Sequence, residues 1–431
     1  MSLIVCITYF ICFTYLFFKY LKVAEVPARI TLNKSTIDFK CTGQEYVIIL
    51  LVTTGLMGLL PVLALHLALA EVICVLLLRD APNSPIYSWP IKLFFIFIAW
   101  TIIGLLYTPS VSFGIRMILK YLYPPLIALA ASAVVDNVVI FLKSGIWSRF
   151  VAFISFFAYK YIPMQGIIFA GVFWNPAALC TNYATWVVFS LALYSMGVDK
   201  KKNLLWALFF IMPCLLWVYR TNIFETSVAL SAFFFIKYRA KSLPLIAGMA
   251  MLALCALFYI PSVKSKMYFR PDEVTISDFL TGNVNEDNVN TSGRNEMWKK
   301  VTPFYEDHPL IGSGTGRVQK YFYTEIIGFG RGGQLHNDLL LMKCDNGLIG
   351  LGLFLASYLA ILFHCVNIYH KSRNEWTKMC VLTAGASLFG MLVTLYSDNT
   401  VSYSLATLGI PWAFYGMALG IYRKEKAELA S

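Results

Sequence analysis

The chain alternates between long, continuous apolar runs and short polar connectors. Apolar segments fall near 3–19, 46–62, 63–79, 91–107, 115–134, 147–163, 175–197, 203–219, 221–237, 242–260, 340–366, 377–397 and 403–422. Many windows reach the roughly 20 apolar residues that carry a helix across a bilayer. A membrane barrel would show alternating segments of about 10 residues instead. The pattern predicts an all-α polytopic membrane protein with about twelve transmembrane helices. Across 46–79 the count stays open, because Pro61 either kinks one long helix or separates two short ones.

The connectors sort by charge. Lys200-Lys201-Lys202, Lys237 to Lys241, His370 to Lys378 and Arg423-Lys424-Lys426 are basic, and Lys143 and Arg149 agree with them. These should face the cytoplasm. Counting alternately, the connectors near Asn175, near Arg220, from Pro261 to Leu335 and near Asp398 fall on the opposite side. Only the connector 261–335 is long, and loops beyond about 15 residues are uncommon unless functional or disordered. It divides the chain into an N-terminal bundle (1–260), the loop (261–335) and a C-terminal set of helices with a short tail (336–431). The lead-in TGNVNEDNVNTS reads as mobile and turn-rich. After it, Trp298, Val301, Phe304 and Tyr305 recur at helical spacing, which predicts a short amphipathic helix from Gly293 to Tyr305 lying on the bundle.

Composition narrows the class. The chain of 431 residues is 58% hydrophobic, 16% aromatic and 13% charged, against about 25% charged in a typical soluble domain. The net charge of +12 is what basic cytoplasmic connectors produce, and no basic stripe with interleaved aromatics points to nucleic acid. The ten cysteines are mostly scattered within apolar runs and no CxxC pair occurs, so neither a zinc site nor a disulfide framework is suggested. The N-terminal run lacks a basic leader and a small-residue cleavage site, which reads as a retained first helix.

Candidate chemistry gathers between Asn290 and Leu351. Arg294 begins the predicted loop helix, where it is either a solvated surface arginine or a grip for phosphate beside a helix N-terminus. Arg220 stands at the external boundary of two apolar runs, either snorkelling or functional, with Glu225 a turn inward as its structural partner. His336 opens LHNDLLLMK, the last polar turn before an apolar run. Asn337 and Asp338 can cap that helix, and an imidazole held neutral beside arginines can accept a proton at neutral pH. His308, in YEDHPLIG, looks like a turn residue with a smaller claim to a direct role. Gly312-Ser313-Gly314-Thr315-Gly316 resembles a phosphate cradle but lacks the Gly-Lys-Ser/Thr ending and preceding strand of a P-loop, so a tight turn with close backbone approach is favoured. Arg317 and Arg331 add positive charge to the loop. Its acids show no metal-ligand spacing and no DxD motif, so no metal and no cofactor is expected. His66 and Glu71, within an apolar run, are the features a proton-coupled transporter would use.

Together these residues resemble the O-antigen ligase and polymerase superfamily of bacterial envelope membrane proteins. The resemblance rests on Ser292-Gly293-Arg294, Trp298, His308-Pro309-Leu310 with Gly312 and Gly314, His336-Asn337, and Gly347-Leu348-Ile349-Gly350, about sixty residues in order. It implies a GT-C-like, inner-membrane glycosyltransferase with a periplasmic active site. The donor would be an undecaprenyl-diphosphate-linked glycan, transferred with inversion and without a metal. The family's loop arginine and histidine map onto Arg294 and His336. Its mid-chain arginine maps onto Arg220, preceded here by Tyr219 rather than Ser. Asn175-Pro176 resembles a family Asn-Pro-Asn segment. Catalysis is thus expected from His336, Arg294 and Arg220, and substrate binding from Arg317, Arg331, Asn337, His308 and Asn175. Chemically, two arginines can stabilise the diphosphate leaving group, and His336 can take the acceptor's proton.

The resemblance favours an O-antigen polymerase, which extends glycan onto the next lipid-linked repeat unit. A ligase delivering glycan to lipid A core is the alternative, and a lipid-linked oligosaccharide transporter a more remote one. A chain-length regulator is a further conceivable partner.

Overall fold

The computed structural model describes residues 2–55, 63–161, 182–216, 220–285, 288–291, 293–325 and 335–431. Among the described residues, helices occupy the expected apolar segments. In the C-terminal half they are Arg220–Tyr238, Leu243–Tyr259, Asp338–Lys371, Glu375–Ser397 and Gly409–Ala430. Four helical stretches among the described residues are long and apolar enough to cross a membrane: Trp89–Leu106, Val111–Val134, Asp338–Lys371 and Glu375–Ser397. Pro61 lies outside the described residues.

Glu375–Ser397 is the hub, packing against Arg220–Tyr238, Asp338–Lys371 and Gly409–Ala430. Aromatic side chains knit the centre: Phe94 meets Trp412 at 4.9 Å between ring centroids, and Phe97 meets Phe354 at 5.3 Å. Both pairs sit in tilted or edge-on arrangements, which the ring quadrupoles favour.

One element departs from the all-helical expectation. Val26–Leu32 and Ser35–Cys41 form an antiparallel hairpin, with Leu32 opposite Ser35. Its two-residue turn, Asn33-Lys34, has φ of 51° and 66°, as a tight hairpin of matching twist requires. Val26, Ala28 and Ile30 are buried while Pro27, Arg29 and Thr31 face out. This period of two was masked by the helical runs on either side.

Hydrogen bonds join the connectors into two ends. At the basic end, the Asp199 amide donates to Asn33 Oδ1 (2.7 Å), Gln44 Nε2 to the Asp80 carbonyl (2.7 Å) and Arg423 Nη1 to the Ser84 carbonyl (2.7 Å). The Gln44–Asp80 bond brings the start of the Gly43–Thr54 helix and the end of the Leu63–Arg79 helix to the same end of the bundle. At the opposite end, Tyr107 Oη donates to the Ile311 carbonyl (2.8 Å) and Thr108 Oγ1 to the Thr315 carbonyl (2.7 Å).

Glu425 fastens the basic end. Its carboxylate accepts from Ser372 Oγ (2.7 Å) and from the amides of Arg373 (2.7 Å) and Asn374 (3.1 Å). Burial works to raise this carboxyl, but the bonds outweigh it and hold it below the ordinary glutamate value. Its contribution is therefore complete above about pH 4.3, the unperturbed value, and is lost as pH falls through the lowered one. Glu425→Ala should destabilise the purified protein at pH 7 by on the order of 1–3 kcal/mol, read as a lower thermal midpoint. The difference from wild type should shrink toward zero in melts run well below pH 4.

Candidate active site

The connector between Leu243–Tyr259 and Asp338–Lys371 does not hang free. Its first part is tied down where the sequence suggested mobility. Asn288 Nδ2 donates to the Arg270 carbonyl (2.9 Å), and Asn288 Oδ1 accepts from the Arg270 amide (2.6 Å). Beside it, Phe258, Tyr268 and Val274 form a small apolar cluster. Farther on, the predicted amphipathic stretch forms two short helices, Arg294–Val301 and Pro303–Glu306. The ring of Pro303 has no N–H for the helical ladder, which is where the break falls. Val301 is fully buried, and Met297, Trp298, Phe304 and Tyr305 pack on the core.

The glycine-rich turn that follows is a clamp on a kinked helix. Asp338–Lys371 is interrupted at Gly347, with φ of 68° and ψ of −171°. Around this break the Ser313 amide donates to the Cys344 carbonyl (2.8 Å), Gly314 to Asp345 (3.0 Å), Leu348 to Pro309 (2.9 Å) and Ile349 to Leu310 (3.2 Å). The Asp345 carboxylate accepts from the amides of Gly316 (2.8 Å) and Val318 (2.9 Å). Backbone groups freed by the kink are thus satisfied by the loop, as buried polar groups require. Gly312 to Gly316 is therefore a turn of close backbone approach, and a phosphate has no call on amides already spent on the helix.

This clamp sets Arg294 and His336 on one short turn, Ser397-Asp398-Asn399. Arg294 Nη1 donates to the Ser397 carbonyl. The His336 amide donates to Asn399 Oδ1 (2.9 Å), and its Nδ1 lies 3.1 Å from Asp398 Oδ1 and 2.8 Å from Asn399 Nδ2. Trp298 Nε1 donates to the Leu335 carbonyl (2.9 Å), and its ring lies 6.1 Å from that of Tyr396. His336 itself sits at φ 51°, an uncommon conformation for a residue with a Cβ.

The ring of His336 therefore meets a carboxylate rather than the expected arginine. Nδ1 makes one such bond at a time. With its proton it donates to Asp398, leaving the Nε2 lone pair open; without it, it accepts from Asn399. The His336 side chain is 37% exposed and Asp398 19%, so a substrate can reach the ring while its partner stays sheltered.

The other expected residues divide. Arg220 opens its helix and donates from Nη1 to the carbonyls of Asn290 (2.7 Å) and Lys266 (2.9 Å), within electrostatic range of Arg294. It holds both flanks of the loop's first part. Glu225 is not its ion-pair partner: that carboxylate takes the Asn222 amide at 3.3 Å. Asn337 caps its helix through the Leu340 amide (2.8 Å). Asp338 instead reaches across to the Val401 amide (2.7 Å). Arg317 pairs with Glu325 at 2.8 Å and lies over the Phe304 ring at 4.4 Å, in a separate cluster. His308 is exposed and gives its carbonyl to Gly312, as a turn residue does. His66 and Glu71 are buried in the Leu63–Arg79 helix. Arg331 and Asn175 lie outside the described residues. The sequence reading passed over Asp398 and Asn399. Their signal was the polar run Ser397 to Thr400 between two apolar segments.

Residues 204–355 match the family model described as O-Antigen ligase. That stretch is similar to the O-antigen ligase family. The match spans about a third of the chain and takes in Arg220, Arg294 and His336. Asp398 and Asn399 lie beyond its C-terminal limit and join the site through the fold. No curated protein matches the chain. The family match supports activity of the O-antigen ligase and polymerase type in a membrane protein.

Proposed function

We propose that the chain is a membrane glycosyltransferase that moves glycan from undecaprenyl diphosphate to a hydroxyl acceptor, acting as an O-antigen polymerase. The observation that supports the transferase reading is the His336–Asp398 pair on the same turn that holds Arg294; the choice of polymerase rests on the sequence resemblance. Residues 1–260 and 336–431 would form the membrane bundle and 261–335 a periplasmic loop, with the lysine-rich end in the cytoplasm. With Gln44 and Asp80 at one end, both helices around Pro61 would be counted, and the N-terminus would lie outside.

In the reaction, the acceptor oxygen attacks the anomeric carbon in line and inverts it, while the bond from that carbon to the diphosphate breaks. His336 Nε2 takes the acceptor's proton, and Asp398 stabilises the resulting imidazolium through Nδ1–H. The negative charge that grows on the leaving diphosphate meets Arg294 and, beside it, Arg220. Arginine suits this task because its planar fork binds two phosphate oxygens at once.

Arg294→Ala should reduce transfer about 10²–10³-fold, the usual cost of losing one transition-state donor, and Arg294→Lys should recover part of it. Arg220→Ala should act differently, loosening the loop at 266 and 290 and lowering thermal stability as well as rate. Limited proteolysis of the two variants separates the effects, and equal protection in both would refute the division.

The ligase reading keeps support from the description of the matched family model. Glycan profiling of envelope extracts from a deletion strain distinguishes the two. Single repeat units on lipid A core mark a polymerase. Long glycan retained on the undecaprenyl carrier marks a ligase, and an unaltered ladder refutes both.

A further inference from the structure

At the basic end of the bundle, opposite to His336, lies a cavity of about 230 Å³, several times the roughly 30 Å³ that one water occupies in the liquid. Arg29 to Leu32 of the hairpin form one wall, and Lys143, Trp147, Arg149, Asp199, Lys202 and Asn203 line much of the rest. The hairpin is seated over it by the bond from the Asp199 amide to Asn33.

Its charge is unbalanced. Lys143 and Arg149 are only 6% and 3% exposed. Arg149 Nη1 donates to Ser190 Oγ and Asn203 Oδ1, both at 2.8 Å, while its buried Nε has no partner. Lys143 Nζ donates to the Arg29 carbonyl at 3.1 Å. Arg29 is already paired with Asp38 at 2.6 Å. Among the described residues, no acid lies within ion-pair distance of Lys143, Arg149 or Lys202. Asp199 is the single acid on the lining against these three cations.

Two cations withdrawn from water with no acid in ion-pair contact, and only Asp199 within electrostatic range of Arg149, carry a desolvation penalty. The indole faces beside them, Trp147 at 4.8 Å from Lys143 and Trp206 at 4.8 Å from Arg149, offset part of it. An anion held between the two would offset the rest. A guanidinium fork next to ammonium groups is the donor set that phosphate oxygens prefer. The cavity also opens at the end where basic connectors meet the anionic leaflet. We propose that this cavity binds a phosphate monoester or diester, carried either by a lipid headgroup or by a soluble anion.

The test uses the full chain in nanodiscs of phosphatidylcholine alone, with two separate additions. One replaces a minor fraction of the lipid by phosphatidylglycerol, and the other titrates inorganic phosphate into the buffer. A saturable rise in unfolding temperature is expected in one arm. The lipid arm identifies a headgroup, and the buffer arm a soluble anion. Lys202→Glu, at the exposed mouth where folding is not at risk, and Lys143→Gln should each weaken half-saturation about tenfold or more, as loss of a charge-assisted bond does. Lys241→Glu, at the same end but off the cavity, should leave it unchanged. No saturable rise in either arm, or a rise that all three variants alter equally or not at all, overturns the proposal.

Discussion

Asp398→Asn should cut glycan transfer on the order of 10²–10⁴-fold while leaving the protein folded and abundant. His336→Ala should cost at least as much, since it removes the proton acceptor itself. Nδ1 of His336 has one bond to make and two neighbours offering it. Asp398 favours the tautomer with the proton on Nδ1 and the lone pair on Nε2, and it favours the imidazolium that follows proton transfer. Asn399 favours the opposite tautomer. An asparagine at 398 keeps the shape and removes the charge, so the imidazolium loses its stabilisation. Single-turnover transfer with a lipid-linked donor would measure this, alongside a pH–rate profile. If Asp398→Asn transfers at the wild-type rate with an unaltered profile, His336 is not acting as a base supported by Asp398.

Gly347→Ala should be strongly disruptive for a change of a single methyl group. At φ 68° an alanine is strained before any contact is considered. Its Cβ would also lie 2.1 Å from the Leu310 carbonyl oxygen and 2.5 Å from the Ile311 amide nitrogen, both backbone atoms that have no rotamer to escape into. Strain of this kind costs about 1–3 kcal/mol, and displacing the loop breaks further bonds at about 0.5–1.5 kcal/mol each. The expected result is poor accumulation in the membrane and a lower thermal midpoint in detergent. Gly352→Ala, in the same helix with nothing within 4 Å of the added methyl, is the matched control and should be neutral. If the two variants melt together, the clamp is not holding the kink. Because the kink and the clamp also carry the loop that presents Arg294, residual Gly347→Ala protein should transfer poorly.

The kinked helix and the loop share one design problem. A glycine that breaks a helix inside a bundle frees backbone groups that water cannot reach, and each needs a partner. The loop supplies four backbone bonds around the break, and the Asp345 carboxylate returns two to the loop. The spacing of glycines between 312 and 316 reflects this approach. Gly312, Gly314 and Gly316 all have positive φ, and a Cβ on Gly312 would fall 2.5 Å from the Asp345 carbonyl carbon.

Much of this protein is determined by its sequence alone, because transfer of apolar surface depends on composition within a window of one helix. The helical segments, the basic connectors, the long loop before the last helices and the short helix bearing Arg294 and Trp298 all follow from local runs and local period. The hairpin at 26–41 was also written locally, as Val26, Ala28 and Ile30 alternating with polar positions, but it was overlooked among longer signals. The partners are another matter. His336 finds Asp398 and Asn399 more than sixty positions along the chain, and Arg294 finds Ser397 more than a hundred positions away. Arg220 turns from its near neighbour Glu225 to carbonyls in the loop. Glycines that resembled a phosphate cradle serve a kinked helix instead. Hydrogen bonds are short and directional, and which groups come within 3 Å depends on how the helices pack, a quantity no local pattern contains. The sequence determined the helices and where polar chemistry could gather; the packing around Glu375–Ser397 decided which residues meet.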